Sequence, residues 1–515
     1  MVAARPPGAA DAFAGFAGHW PEMRGGGGGK LRNRAVTLWA ERTVCRYGPS
    51  MDGGDLSWRR RDRLIPIVIA SALFMDLMDS AALAMALPTI ARHFATPVVD
   101  LKLALTAYVV TVAVLVPTSG WLSDRFGARR VFVTAMAVFM VGSICCGLSE
   151  TLPQLVAARI LQGIGGSMMT PVGRIILVAS ISRDQLLRGM AWYTLPAILA
   201  PMLGPPVAGA LIQFADWRWI FFINVPVGLL GMVAVLRFVP MLAPGRRSRF
   251  DLTGFLLAAT SILAVMAVVE TDALAGRPVW MRMALVAGAA LIGTVYVMQA
   301  LRAPAPIVDF RTFRHRSYLW SMLSTWLQRI ALGGMMVLLP LQLQIGLGHE
   351  PLASSQVMIG AAIGSFVSRA VSPVSIRLLG FRRLLLLFGA ITAAMSLIPT
   401  FFTPATPLLV MGGVMLLHAT VRASYFMAGN TLVYCDIAPA EIGHATALFA
   451  MSQQLSLGFG YSLATIVLDS AGGPHLLTAF AWAYGTMAAL QVLGTLATLP
   501  LPRDVGAQMR GGKRL

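Results

Sequence analysis

The sequence predicts an all-α integral membrane protein of about fourteen transmembrane helices, and three observations carry that prediction. The first is composition. The 515 residues are 57% hydrophobic and only 12% charged, with a mean hydropathy of +0.72. Soluble domains carry about 25% charged residues, so this chain has too few charges to cover a surface facing water. The second is the run length. Residues 64–500 consist of apolar stretches separated by short polar loops. Each stretch is about 20 residues, the length needed to cross ~30 Å of hydrocarbon as a helix. Lipid offers the backbone no hydrogen bonds, so such stretches are helices, and the alternating pattern of a membrane β-barrel is absent. The third is the distribution of charge. Basic clusters fall at Arg59–Arg63, Arg125–Arg130, Arg183 and Arg188, Arg246–Arg249, Arg311–Arg316, Arg377–Arg383 and Arg503–Arg514. The intervening loops Ser149–Pro153, Gly346–Leu352, Thr403–Pro407 and Ser470–Pro474 are nearly free of Lys and Arg. This alternation follows the positive-inside rule and places both termini in the cytoplasm with an even number of spans. It also accounts for the net charge of +19 as loop arginines on one side, so nucleic acid is not expected as a partner. The basic loops predict contact with anionic membrane lipid.

In chain order, residues 1–63 form a basic cytoplasmic N-terminal region. Five consecutive glycines, Gly25–Gly29, among scattered Pro, Ala and Arg predict disorder over residues 1–50. No signal-type apolar core follows, and Met51 stands as an alternative start of translation. The first span, 64–88, carries two acids, Asp76 and Asp79, and closes on Pro88. The second, 101–122, and the third, 130–149, flank a Gly-containing charged turn. The fourth, 153–180, holds Arg159, Gln162, four glycines and Arg174. The fifth, 188–213, contains Pro205 and Pro206, and the sixth, 218–239, starts beside Trp217 and Trp219, which suit an interfacial aromatic belt. Two central spans follow at 252–270, with Glu270 at its outer end, and 279–300. The last six are 317–345 with Arg329, 353–376 with Arg369, 383–402, 406–434 with His418 and Arg422, 442–469 with Gln453 and Gln454, and 475–499.

An internal repeat organises these spans. Gly127-Ala128-Arg129-Arg130 follows the second span, and Gly380-Phe381-Arg382-Arg383 follows the second of the last six. Two six-helix bundles, 64–239 and 317–500, therefore flank a central region at 240–316 that holds two additional helices, with a basic cytoplasmic tail at 501–515. Repeats of this kind place a substrate site at their interface near the bilayer midplane. The copies differ, because Arg377 stands where the first repeat has Asp124.

Charges inside spans are costly and are functional candidates by default. Asp76 and Asp79 lie three apart, on neighbouring positions of one helix face. They either pair with a cation for packing or carry protons, since a low dielectric favours the neutral form of a carboxyl group. Arg159 needs a partner, either one of these acids or the membrane interface reached by snorkelling. Arg174 either attracts an anionic substrate or faces the cytoplasmic mouth. Gln162, Arg174, Arg329, Gln453 and Gln454 are candidates for a substrate cavity. His418 is read as a hydrogen-bonded core histidine. The four cysteines, Cys45, Cys145, Cys146 and Cys435, show neither disulfide nor metal spacing and read as buried, inert thiols. No phosphate-binding loop, catalytic triad or metal cluster stands out. The chain is thus not expected to be an enzyme or to need a cofactor, and its energy would come from an ion gradient or the substrate's own gradient.

Five strings carry a family resemblance. Gly120 to Phe132, G-W-L-S-D-R-F-G-A-R-R-V-F, resembles the loop between spans two and three of major facilitator superfamily transporters, G-x-L-x-D-R-x-G-R-[RK]. Gly120, Leu122, Asp124, Arg125, Gly127, Arg129 and Arg130 match, and Ala128 replaces a basic residue. Met78 to Pro88 resembles L-D-x-T-I-V-N-V-A-L-P of the fourteen-span drug:proton antiporters through Asp79 and Ala86-Leu87-Pro88, with Ala81 and Ala84 in place of the family Thr and Asn. Arg159-Ile-Leu-Gln162-Gly163-Ile-Gly165-Gly166 fits R-x-x-Q-G-x-G-[GA]. Ala200 to Gly209 resembles the antiporter signature G-x-x-x-G-P-x-x-G-G through Gly204, Pro205 and Gly209, with Ala200 and Ala208 replacing glycines. Asp216 to Gly228 resembles the family's entry into span six.

The resemblance covers residues 64–500 and is densest in the first six spans. It implies the major facilitator fold, two six-helix bundles plus two extra central helices, in a multi-pass protein of a bacterial inner membrane. The implied activity is drug:proton antiport, the export of small amphipathic compounds by alternating access as in multidrug efflux. Asp79, with Asp76 and Arg159, would couple the proton. The loop Gly120, Asp124, Arg125, Gly127, Arg129 and Arg130 would latch the cytoplasmic gate, with Asp124 capping a helix or pairing with arginines. Gly204, Pro205 and Gly209 would kink a helix that seals the cavity. Expected partners are a small-molecule substrate, protons and lipid, with a periplasmic adaptor as a candidate the family suggests. An exporter of an organic-anion metabolite on the same fold, and a transport-inactive membrane sensor, are the rival readings.

Overall fold

A computed structural model describes residues 60–181, 186–241, 250–269, 279–303, 308–437, 442–474 and 476–502, together with Val505. The expectations for residues 1–50, Met51, Arg183, Glu270, the arginines of 246–249 and most of the tail lie outside them. The described residues form fourteen long helical segments, with a short 3-10 turn at Phe310–Arg314 between the eighth and ninth. The first six are α1 (Arg60–Phe94), α2 (Val98–Phe126), α3 (Ala128–Gly147), α4 (Leu152–Ser180), α5 (Leu186–Phe214) and α6 (Trp219–Phe238). A central pair follows, α7 (Leu252–Val269) and α8 (Val279–Arg302). The last six are α9 (Arg316–Gly346), α10 (Pro351–Leu379), α11 (Phe381–Phe401), α12 (Leu408–Leu432), α13 (Ile442–Ser470) and α14 (Leu477–Leu496).

Nine of these, α1–α3, α6 and α8–α12, are long and apolar enough over their described residues to cross a membrane. Of the others, α7 is apolar but short over its described residues, whereas α4 dilutes its apolar residues for a physical reason. That helix buries Arg159, Gln162, Gly163, Gly165 and Gly166 against protein, and a helix surrounded by protein need not be uniformly apolar. Large side chains point outward elsewhere: Trp280, Leu291, Leu378 and Leu409 are all exposed. Apolar surface on that scale marks contact with lipid rather than water.

Two boundaries differ from the sequence reading. α1 continues beyond Pro88 to Phe94. It ends in a Schellman motif, with Thr96 N–H donating to Ala91 C=O at 3.1 Å and Ala95 N–H to Arg92 C=O at 3.4 Å. Ala95 takes the left-handed position, φ +51°. The second departure concerns the charged turn. Gly120 to Phe126 is the helical end of α2 rather than a loop, and only Gly127, at φ +86°, reverses the chain.

The repeat is visible in the packing. Within the first six helices α1 packs on α4, α5 and α6, α2 on α4, and α3 on α4 and α6. Within the last six α9 packs on α12, α13 and α14, α10 on α12, and α11 on α12 and α14. Each of these contacts in the first set recurs in the second, eight helices later. The two sets meet through α2 on α13, α5 on α10 and α1 on α9, while α7 packs on α8 and on the α2–α13 seam. The Gly-x-Arg copies explain part of this likeness. Gly380 repeats the turn at φ +74°. Arg129 donates to Leu236 C=O at the end of α6, and Arg382 donates to Leu499 C=O, just past α14, at 2.7 Å. Each arginine therefore ties off the carbonyl end of the last helix of its own set, where a cation is favoured.

Candidate functional site

Five helices converge on one buried polar cluster. Asp79 sits on α1 at 2% exposure and Arg159 on α4 at 1%. Their side chains form an ion pair through Arg159 Nη1 and Asp79 Oδ2. Glycines make this approach possible. A Cβ on Gly142 would lie 2.5 Å from Gln162 N, and one on Gly165 would lie 2.5 Å from Phe139 N, so α3 and α4 touch backbone to backbone.

The pair is wrapped in hydrogen bonds. Arg159 Nε donates to Ala104 C=O of α2 at 3.2 Å and Nη1 to Gln162 Oε1 at 2.6 Å. The guanidinium also lies over the Tyr108 ring, 4.3 Å from its centroid. Asp79 Oδ1 accepts from Gln162 Nε2 and from Asn224 Nδ2 of α6, both at 2.9 Å. Asn224 Nδ2 also reaches Ser143 Oγ of α3 at 3.0 Å, and Ser143 donates to Phe221 C=O at 2.9 Å. Isolated charges at this depth would be costly; pairing with near-complete hydrogen bonding offsets much of that cost.

Asp76 stands apart from the ion pair. It is only half-buried, and its Oδ1 accepts from the Tyr108 hydroxyl. The site thus holds two acids and one cation, a net charge of −1 when all are ionised. One acid is held by the cation and the other by the Tyr108 hydroxyl.

The remaining sequence candidates separate. Gln162 belongs to the cluster. Arg159 does not snorkel; it is among the largest fully buried side chains. Arg174 is exposed and lies beside Tyr193 of α5 and Tyr434 past α12, so it faces the second set of helices. Arg329 is half-buried on α9 with its guanidinium 4.9 Å from the Phe426 ring centroid. Gln453 and Gln454 are half-buried on α13 and make no side-chain hydrogen bond to another described residue. His418 is hydrogen-bonded, 3.1 Å from Ser396 Oγ. Of the described cysteines, only Cys146 is buried as expected; Cys145 is exposed and Cys435 half-buried, and Cys45 lies outside the described residues.

The charged segment at the end of α2 departs from expectation. Asp124 is exposed and neither caps a helix nor pairs with an arginine among the described residues. It lies on the outer face of the last α2 turn, where water or headgroups solvate it. Arg125 packs its guanidinium over Trp121 and Phe126, at 5.8 and 5.9 Å from their centroids. Arg130 is exposed, and Arg129 performs the helix-end role described above. Gly120 has open space around its missing side chain.

The Gly204-Pro205-Gly209 stretch of α5 is a contact device between helices. A Cβ on Gly204 would lie 3.0 Å from the Ala81 Cβ of α1. One on Gly209 would lie 2.9 Å from Ser355 Oγ and 3.0 Å from Pro351 C=O of α10. Gln213 Nε2 donates to Glu350 Oε2 at 2.9 Å, and Gln344 Nε2 donates to Met85 C=O at 3.0 Å. The two sets of helices are therefore drawn together at the ends bordered by the loops poor in Lys and Arg.

Comparison with known proteins agrees with this architecture. The chain matches the Major Facilitator Superfamily over residues 69–461. It is 34% identical over 448 residues to a Klebsiella pneumoniae subsp. pneumoniae protein named "Putative multidrug resistance protein MdtD", covering 85% of this chain and 95% of that one. A protein of the same name from Salmonella paratyphi A is 34% identical over 412 residues, covering 79% and 87%. Among solved structures, a peptide transporter POT in complex with sulfate superposes with a TM-score of 0.64 at 16% identity, covering 92% of this chain and 99% of that one. A bacterial homologue of the human lysosomal transporter Spinster gives 0.58 at 12% identity, covering 87% and 98%. At such identities these two likenesses concern the fold alone.

Proposed function

The chain belongs to the major facilitator superfamily, and from that premise we propose that it is a proton-coupled exporter of small amphipathic compounds. The observation that carries this reading is the buried Asp79–Arg159 pair with Asp76 beside it but outside it. An acid–cation pair with a second acid nearby is a proton-responsive element. With both acids ionised the cluster carries −1. One proton on Asp76 neutralises it, and a neutral cluster moves through a low-dielectric interior at lower cost. The proton is taken up where the cavity faces the acidic side of the membrane and released after the two helix sets rock to the other side.

The closed face fits this cycle. Gly209 against Ser355, Gln213 on Glu350 and Gln344 on Met85 hold the Lys/Arg-poor ends together. By the positive-inside rule that face is periplasmic, and the termini and the Asp124 segment are cytoplasmic in a bacterial inner membrane. Asp124, exposed here, is then free to engage a basic partner when the cytoplasmic side closes. The multidrug resistance names of relatives 34% identical over most of the chain support a drug-like substrate range.

The test is proton movement in everted membrane vesicles holding a pH gradient, with lipophilic cations and organic acids added one at a time. A compound is expected to collapse the gradient with wild-type protein and to leave it intact with Asp76→Asn or Asp79→Asn. Variants that respond like wild type would remove these acids from the coupling path. If no compound acts even on wild type, the transport-inactive sensor takes the exporter's place.

A further inference from the structure

In the first set of helices the α1–α4 contact carries the Asp79–Arg159 ion pair. The equivalent contact in the second set, α9–α12, carries two cations and no acid. Arg329 lies on α9, and Arg422 lies on α12 close enough to repel it. Arg422, His418 and Phe426 are four residues apart on one helix face, and Arg329 rests its guanidinium 4.9 Å from the Phe426 ring centroid. Both arginines are half-buried. Arg329 Nε is buried with no hydrogen-bond partner, and neither guanidinium forms an ion pair with a described residue.

No described carboxylate of this half is placed to neutralise them. Between residues 317 and 500 the acids are Glu350, Asp436, Glu441 and Asp469. Glu350 stands just before α10 and accepts from Gln213, Asp436 follows α12 and Asp469 sits in the last turn of α13, while Glu441 lies outside the described residues. In the first half Asp79 is engaged by Arg159 and Asp76 by Tyr108. Uncompensated charge at this depth is strongly unfavourable and persists where function needs it. His418 adds no negative charge, being bonded to neutral Ser396, which in turn donates to Gln491 Oε1 at 2.8 Å.

We propose that Arg329 and Arg422 form an anion-binding subsite, and that the exported compounds carry a carboxylate or phosphate group. Guanidinium groups offer paired N–H donors that match the two oxygens of such a group. An oxyanion between the arginines relieves their mutual repulsion. This rests on the exporter reading and narrows its substrate class.

The experiment measures equilibrium binding of two dyes sharing one ring scaffold, anionic 5-carboxyfluorescein and cationic rhodamine 123, to the purified full-length protein by fluorescence anisotropy. No gradient is involved. Wild type is expected to bind the anion at least about tenfold more tightly than the cation. Arg329→Gln and Arg422→Gln should each weaken anion binding at least about tenfold, while Arg422→Lys, which keeps the charge but loses the paired donors, should weaken it less than Arg422→Gln does. Unfolding temperature separates a binding arginine from a structural one. Removing an unneutralised buried charge leaves the free protein as stable as wild type or more so, whereas breaking a hidden structural pair destabilises it. Equal binding of both dyes, unchanged binding in the glutamine variants, or a marked loss of stability in both would overturn the subsite. Selective binding without proton movement in vesicles would instead overturn the exporter reading and leave the subsite standing.

Discussion

Replacing Asp79 by Asn keeps the shape of the side chain and strips Arg159 of its counter-charge. Breaking a buried pair by removing one partner costs about 3–5 kcal/mol, because the remaining charge is left uncompensated. Asp79→Asn should therefore lower the unfolding temperature of the purified protein markedly. The double variant Asp79→Asn/Arg159→Gln should recover much of that loss, and a thermal-unfolding double-mutant cycle reads the difference. If the double variant is as unstable as the sum of the two single ones, the pair is not an energetic unit. Asp76→Asn is expected to behave otherwise. Its amide oxygen can still accept from Tyr108, so stability should change by less than about 1 kcal/mol while proton movement is lost. Asp79, Arg159 and Gln162 were legible because charge or amide in an apolar run is rare and demands a partner. Ser143, Asn224 and Tyr108 were not singled out. Serine and tyrosine are ordinary in membrane helices, and Asn224 follows closely on Asp216 and Arg218 at the entry to α6, where another polar residue attracts no notice. Only the convergence of α1, α2, α3, α4 and α6 gives them a role.

Helix ends follow local rules that the sequence carried unevenly. The repeated Gly-x-Arg was readable as a repeat, yet its purpose required the carbonyl ends of α6 and α14, more than one hundred residues away in each case. Arg129→Ala and Arg382→Ala should each cost about 0.3–1 kcal/mol, the worth of a cation at a helix C-terminus. Because they serve separate sets of helices, their effects should add within about 0.5 kcal/mol in unfolding measurements. The end of α1 gives a prediction of opposite sign. Ala95 occupies a left-handed position that Gly takes without a Cβ penalty, so Ala95→Gly should stabilise the protein by about 1 kcal/mol. The extent of α1 was hidden because Pro88 reads as a stop, although membrane helices tolerate proline where neighbours restore the lost hydrogen bond. The helical Gly120–Phe126 segment was hidden for a related reason. Glycine and charge suggest a turn in isolation, and only Gly127 has the backbone angle that makes one.

At the scale of the molecule, the fourteen helices and their two-fold repetition follow from run length, loop charge and the Gly-x-Arg copies, all local properties of the sequence. Which face is closed does not, because it depends on contacts between residues far apart in the chain. Alternating access requires that face to open, and Gly209 and Ser355 allow a direct trial. A Cβ on Gly209 would lie 3.0 Å from the Ser355 Cβ, and a shift of some tenths of an ångström reaches the ~3.5–4.5 Å a disulfide needs. In a background lacking the native cysteines, Gly209→Cys/Ser355→Cys should crosslink α5 to α10 on oxidation and arrest export, and reduction should restore it. Either single variant should transport with or without oxidant, which separates locking from simple crowding of α10. Because the bond forms only in molecules closed on this face, a condition that shifts the population toward the opposite state should slow crosslinking in proportion. A fully crosslinked protein that exports at the uncrosslinked rate would mean that α5 and α10 never part here, and the path would have to run elsewhere than between the two sets of helices.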